Sequence, residues 1–180
     1  MLIERIRILR NEATDRLGYL PIVTLMVHSR CNCRCAMCDI WKDNTQVQEL
    51  TPDDIDALLP TLRRLGVRWV VLSGGEALLH SDLWGLCEAL APLQPRISLL
   101  TTGLLLPRHA ESCVRYLSDV IVSLDGDEPT HDDIRGVPGA YRKLGAGIDA
   151  LRRVEPAFPV RARSVVQRKN HLTLEATLQA

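Results

Sequence analysis

Residues 22–41 read IVTLMVHSRCNCRCAMCDIW. A β-branched apolar run predicts a strand over Ile22–Val27, and it passes directly into a loop that holds four of the chain's six cysteines. Thiolates repel one another, so crowding them is costly unless a cation or an iron–sulfur centre absorbs their charge. Cys31, Cys35 and Cys38 form C-x3-C-x2-C, which supplies three ligands from one loop and leaves one iron of a cubane without a protein ligand. Cys33 then points into the scaffold as a small apolar side chain. Closure of all four cysteines on one structural zinc ion is the competing reading, although Cys31, Cys33 and Cys35 alternate too tightly to surround an ion easily.

Working outward, short β-branched runs alternate with amphipathic stretches, the pattern of a parallel α/β sheet made of βα units. Strands are predicted at Ile22–Val27, Arg68–Ser73, Arg96–Thr101, Asp119–Leu124 and Val160–Gln167, each apolar enough to be covered on both faces. The first crossover helix starts at Thr51-Pro52-Asp53-Asp54, with Thr51 as cap, and ends at Gly66; Pro60 should kink or split it. Further helices are expected over 81–91, 107–117 and 140–154, and a last one over 172–180 that begins at the Thr173 cap and has no strand after it. Residues 1–20 form an N-terminal helical segment and 21–180 one core domain.

The 22 basic and 22 acidic residues cancel, so no net field favours nucleic acid or an anionic membrane. The first twenty residues carry charge in every turn and resemble neither a signal peptide nor a membrane span, which points to a cytoplasmic protein. Cys87 and Cys113 fall at apolar helix positions and read as buried thiols. His28, His80, His109, His131 and His171 share no helical face and read as loop histidines. GxGxxG and Walker patterns are absent.

Strand ends are where an α/β barrel collects its ligand-binding groups, and here they are distinctive. The second strand ends in Ser73-Gly74-Gly75-Glu76, where paired glycines let backbone approach a ligand closely and a carboxylate can face an ammonium group. The third ends in Thr101-Thr102-Gly103. The fourth ends in Ser123-Leu124-Asp125-Gly126, and alternation aims Ser123 and Asp125 together into the mouth. His131-Asp132-Asp133-Ile134-Arg135-Gly136 and Gly139-Ala140-Tyr141 follow as connecting loop, and Lys169-Asn170 follows the fifth strand.

C-x3-C-x-(apolar)-C after the first strand, with Met37 in the apolar place, resembles the signature of the radical SAM superfamily. That resemblance implies a [4Fe-4S] cluster on Cys31, Cys35 and Cys38. S-adenosylmethionine would chelate the open iron through its amino and carboxylate groups, and one-electron reduction would cleave it to a 5′-deoxyadenosyl radical that abstracts a substrate hydrogen. By the same resemblance Met37 lies beside the adenine, and Gly74, Gly75 and Glu76 match the GGE motif that holds the amino group of the cofactor. Ala77-Leu78 departs from the usual continuation to proline. Thr102 replaces a common asparagine near the ligand. Ser123 and Asp125 match an SLDG motif that contacts the ribose, the methionyl part or substrate, and Asn170 is an adenine-side contact.

HDDIRG followed by glycine and an aromatic is similar to the SPASM-type peptide-maturase and molybdenum-cofactor cyclase branch. The implied fold is a partial parallel (βα) barrel with about five of the family's six βα units, so the chain looks truncated before its sixth strand. An external flavodoxin- or ferredoxin-like protein would donate the electron, and the substrate (peptide, lipid or small molecule) is not encoded in these motifs. The competing function is a cluster- or zinc-binding fragment without turnover, whose open fifth strand would make the chain associate.

Overall fold

The computed structural model describes residues 2–179; Met1 and Ala180, the outer ends of the two expected units, lie outside the described residues. Five strands, β1 (Ile22–His28), β2 (Trp69–Gly74), β3 (Arg96–Thr101), β4 (Asp119–Ser123) and β5 (Val160–Arg163), form one sheet. Its order is β1-β2-β3-β4-β5 and every pair is parallel. Helices α1 (Leu2–Thr14), α2 (Pro52–Leu65), α3 (Leu83–Leu90), α4 (Leu106–Tyr116), α5 (Glu128–Arg135), α6 (Ala140–Val154) and α7 (Leu174–Gln179) complete the α/β alternation.

The register separates two faces. Leu25, Leu72, Leu99 and Val120 lie side by side, and they are buried in one core with Ile55 and Leu62 of α2, Leu86 and Leu90 of α3, Leu106 of α4 and Leu151 of α6. Full burial of aliphatic side chains of this size contributes roughly 1.5–3 kcal/mol each. The opposite face carries Met26, Trp69, Ser98, Asp119, Ser123 and Arg161 in matching register. On it, the buried Asp119 carboxylate pairs with both Arg96 and Arg161. Their guanidinium groups lie 4.9 and 5.5 Å from the Trp69 ring, within cation–π range.

The expectation that every strand is covered on both faces fails at the edges. Met26 is 58% exposed on β1, and Arg161, Ala162 and Arg163 of β5 are all exposed. An edge strand has one neighbour instead of two, so its apolar residues lose cover on that side. β5 also stops at Arg163 instead of continuing to Gln167. The chain is drawn off the sheet there because Val165 N–H donates to the Asp125 carboxylate (2.9 Å) and the Val165 carbonyl accepts from Asn170 (3.0 Å).

α2 has the expected start, with Thr51 Oγ1 accepting from Asp54 N–H (3.2 Å) and the Asp54 carboxylate accepting from Thr51 N–H (2.8 Å). Pro60 does not split it; the helix runs unbroken to Leu65. Pro60 and Asp56, whose carbonyl loses its donor, are both exposed, so water can take the place of the missing hydrogen bond. The helix expected over 81–91 is α3 followed by a 3-10 turn at Ala91–Leu93. α5 was expected as loop. It is built by an Asp127 cap accepting from Thr130 N–H (3.2 Å) and a proline in its first turn. The N-terminal segment is helical only to Thr14. Asn11 then holds the following turn, donating to the Tyr19 carbonyl (2.7 Å) and accepting from Gly18 N–H (2.8 Å).

Candidate active site

The cysteine loop crosses the C-terminal ends of the strands and is tied down from three directions. From β2, Gly75 N–H donates to the His28 carbonyl and Glu76 N–H to the Arg30 carbonyl, each at 2.8 Å. From α5, the carbonyls of Arg135 and Ile134 accept from Arg34 N–H and Ala36 N–H, each at 2.9 Å. Asn44 closes the third side, accepting from Cys31 N–H (3.2 Å) and donating to the Cys31 carbonyl (3.0 Å).

These ties explain the glycines. A Cβ on Gly74 would lie 2.3 Å from the His28 carbonyl oxygen, and one on Gly75 would lie 2.1 Å from that of Arg30. The close approach that requires glycine is therefore to the backbone of the cysteine loop. Gly136, with φ of +62°, does the same on the other side, where a Cβ would lie 2.6 Å from the Arg34 carbonyl oxygen.

Within the loop Cys31 and Cys38 are half-buried, Cys35 is buried and Cys33 is fully enclosed. The Cys33 thiol beside Cys35, together with the Arg135 guanidinium, lowers the Cys35 thiol to about 6, while the same neighbour and burial push that of Cys33 up. Burial pushes the Cys31 thiol up to about 11. Cys87 and Cys113 lie in α3 and α4, where burial raises both to about 12, so they are inert packing groups. Among the described residues no three His, Cys, Asp or Glu side chains converge on a single-ion position. Three thiols on one pinned loop, one of them lowered in pKa by the neighbouring Cys33 thiol and the Arg135 guanidinium, fit the donor set of a three-cysteine iron–sulfur centre.

Glu76 is completely buried. Its Oε1 accepts from Thr101 Oγ1 (2.7 Å) and Leu78 N–H (3.1 Å), and its Oε2 from Thr102 N–H (2.7 Å) and Thr102 Oγ1 (2.6 Å). The carboxylate expected to face an ammonium group thus joins the ends of β2 and β3. Thr102 lies at the base of the loop, its hydroxyl also 3.2 Å from Asn32 Oδ1.

Ser123 is half-exposed at the end of β4, whereas Asp125 has no exposed surface. Asp125 Oδ1 accepts from Val165 N–H (2.9 Å) and Ser164 Oγ (3.4 Å), and its Oδ2 lies 2.5 Å from Arg135 Nη2. Asn170 is equally enclosed, donating to the carbonyls of Asp125 and Val165 (both 3.0 Å) and accepting from Gln167 N–H (2.8 Å). Met37, in the loop, approaches this segment, its sulfur 3.8 Å from Gln167 Nε2. The residues expected to bind cofactor therefore gather at one end of the sheet. Cys31, Cys38, Met37 and Ser123 stay partly accessible there, while Glu76, Asp125 and Asn170 are enclosed and hydrogen-bonded to neighbouring backbone.

Reading the 131–136 stretch as connecting loop missed its part in the site. His131 Nδ1 accepts from Asp125 N–H (3.2 Å), and the Asp132 carboxylate accepts from Gly139 N–H (2.5 Å) and Tyr141 N–H (2.9 Å). Arg135 is buried, with Nη1 3.6 Å from Cys35 Sγ. The cap at Asp127 and the glycine after Arg135 were the available helix signals. His80 lies in a loop as read, buried with its Nε2 donating to the Leu50 carbonyl at 2.8 Å, whereas His28 ends β1, buried with its Nδ1 2.8 Å from Glu49 Oε1.

Comparison with known proteins agrees with this geometry. The pattern of the Radical SAM superfamily matches residues 25–165. An AdoMet-dependent heme synthase from Methanosarcina barkeri is 31% identical over 144 residues, covering 78% of this chain and 41% of that protein. A GTP 3′,8-cyclase from Acidothermus cellulolyticus is 34% identical over 170 residues, covering 86% of this chain and 46% of that protein. Streptococcus suis SuiB bound to S-adenosylmethionine superposes with a TM-score of 0.73 at 16% identity, covering 97% of this chain and 41% of that one. SuiB with its precursor peptide SuiA superposes at 0.75 over the same share of this chain and 39% of that one. The chain spans under half the length of these relatives. A five-stranded parallel sheet, a pinned C-x3-C-x2-C loop at its C-terminal end and a family match over most of the sequence lead to one conclusion: the chain belongs to the radical SAM superfamily.

Proposed function

We propose that this chain is the radical-generating core of an enzyme, holding a [4Fe-4S] cluster through Cys31, Cys35 and Cys38 and S-adenosylmethionine against Met37, the Gly74–Gly75 turn, Thr102 and Ser123. The observation that carries the reading is the cysteine loop itself: it is pinned by β2 and α5 across the strand ends, with the Cys35 sulfur met by a buried guanidinium. When bound, the cluster supplies the electron that cleaves S-adenosylmethionine to the 5′-deoxyadenosyl radical. The chain's own part is to present three thiols from one pinned loop, keep water from the buried side through Cys33 and Glu76, and leave the Ser123 side of the mouth open to substrate.

An external low-potential donor of the flavodoxin or ferredoxin class delivers the electron. A peptide is one substrate class to test, because a structurally similar protein, SuiB, is solved with its precursor peptide. No helix among the described residues is long and apolar enough to cross a membrane.

The test is anaerobic incubation of the reconstituted protein with S-adenosylmethionine and dithionite, with 5′-deoxyadenosine measured by chromatography. Formation is expected in the native chain and loss in Cys38→Ala. The exposed β5 edge favours one second reading, a fragment that binds the cluster without turnover. Iron bound at full occupancy with no 5′-deoxyadenosine would select it.

A further inference from the structure

The Arg135 guanidinium contacts an expected cluster ligand, Cys35. Its side chain is buried at the end of α5, with Nη1 3.6 Å from Cys35 Sγ and Nη2 2.5 Å from Asp125 Oδ2, while Nε has no protein acceptor. A guanidinium used only to neutralise Asp125 would be expected to turn its fork so that two N–H groups meet the carboxylate. Here Nη2 forms an ion pair with Asp125 Oδ2, an oxygen without a hydrogen-bond donor, Nη1 meets the sulfur, and Nε–H is left over. The position is rigid as well: the Arg135 carbonyl accepts from Arg34 N–H at 2.9 Å, and Gly136 packs on the Arg34 carbonyl.

We propose that Arg135 sets the reduction potential of the centre held by Cys31, Cys35 and Cys38, by donating to the Cys35 sulfur and placing positive charge beside it. This rests on the functional reading above. Gaining one electron makes a thiolate-bound cluster more negative, and hydrogen bonds to ligand sulfur together with nearby positive charge favour that state. Burial reduces solvent screening, so the charge acts more strongly than it would at the surface. Asp125 has two effects. It keeps the arginine from being an uncompensated buried cation, and it offsets part of the positive field. Its Oδ1 is met by Val165 N–H and Ser164 Oγ. The two residues should therefore move the potential in opposite directions, Arg135 upward and Asp125 downward.

The experiment is an EPR-monitored redox titration of the anaerobically reconstituted protein, with dithionite as the one-electron source. It compares native protein with Arg135→Gln, Arg135→Lys and Asp125→Asn. Iron per chain and far-UV circular dichroism verify loading and folding. Arg135→Gln is expected to disfavour reduction by about tenfold, a shift of about 59 mV downward for one electron. Arg135→Lys keeps the charge without the fork, so a smaller downward shift is expected. Asp125→Asn can still accept from Val165 N–H and is expected to shift the potential upward.

A purely structural strut would lower loading or stability in all three without separating the signs. Potentials that are unchanged, or that shift in one direction together, overturn the proposal. If Arg135→Gln does not fold, the opposite signs of Arg135→Lys and Asp125→Asn decide it. Failure of the native protein to take up iron and sulfide overturns the functional reading and this inference with it, whereas a loaded cluster with an invariant potential overturns this inference alone.

Discussion

At the scale of residues, the site depends on atoms that leave no room for substitution. Gly75→Ala would drive a Cβ into the Arg30 carbonyl, 2.1 Å away. Backbone on both sides cannot yield, so a loss of roughly 3 kcal/mol is expected in chemical denaturation, with cluster uptake falling in parallel. Asn170→Ala removes three enclosed hydrogen bonds and is expected to cost roughly 2–4 kcal/mol. An effect under about 0.5 kcal/mol would mean that Asn170 is exposed to ligand or water instead of acting as a strut. The strand that delivers the cysteine loop was legible because a β-branched run leads straight into it. The placement of Asp125 was not. Alternation puts Ser123 and Asp125 on one face only while the chain remains a strand, and β4 ends at Ser123. Beyond it, the pull of Arg135 and Val165 decides where the carboxylate goes.

At the scale of elements, α5 is the piece that sequence reading left as loop, and the cysteine loop leans on it. His131 ties α5 to the chain just beyond β4, its Nδ1 accepting from Asp125 N–H while unprotonated. Burial lowers its affinity for a proton, Arg135 lowers it further, and Asp125 and Asp132 oppose that only in part. A histidine whose folded value lies below the unfolded 6.5 binds more protons when unfolded, so stability falls as pH drops through and below that value. Denaturation midpoints between pH 8 and 5 should show this decline, and His131→Asn should flatten it; an unchanged slope would place the titration elsewhere. The start of α2 was readable to the residue because a capping box is a local pattern. The effect of Pro60 was not, since it depends on which carbonyl faces water. Pro60→Ala restores a helical N–H and is expected to stabilise the protein by about 1–2 kcal/mol, the unfolded-state entropy offsetting part of the gain.

At the scale of the whole molecule, the parallel sheet follows from the βα alternation, which is why it was readable without coordinates. Cover on the sheet faces was not, because burial at an edge depends on neighbours the pattern does not contain. In β5, Pro159 and Arg163 direct their carbonyls toward β4, so Val160 and Ala162 present theirs outward as a pairing edge. Self-association of the chain through this edge is expected in sedimentation velocity, reduced by Ala162→Pro, which removes an outward N–H without touching the inner ladder. A monodisperse native chain at tens of micromolar would contradict it. The central claim concerns the loop, and anaerobic reconstitution with iron and sulfide followed by EPR of the reduced protein tests it most directly. A cubane signal that changes when S-adenosylmethionine is added, and that is lost in Cys35→Ala, is the predicted result. Tight zinc in place of iron, or a cluster signal indifferent to S-adenosylmethionine, would contradict it.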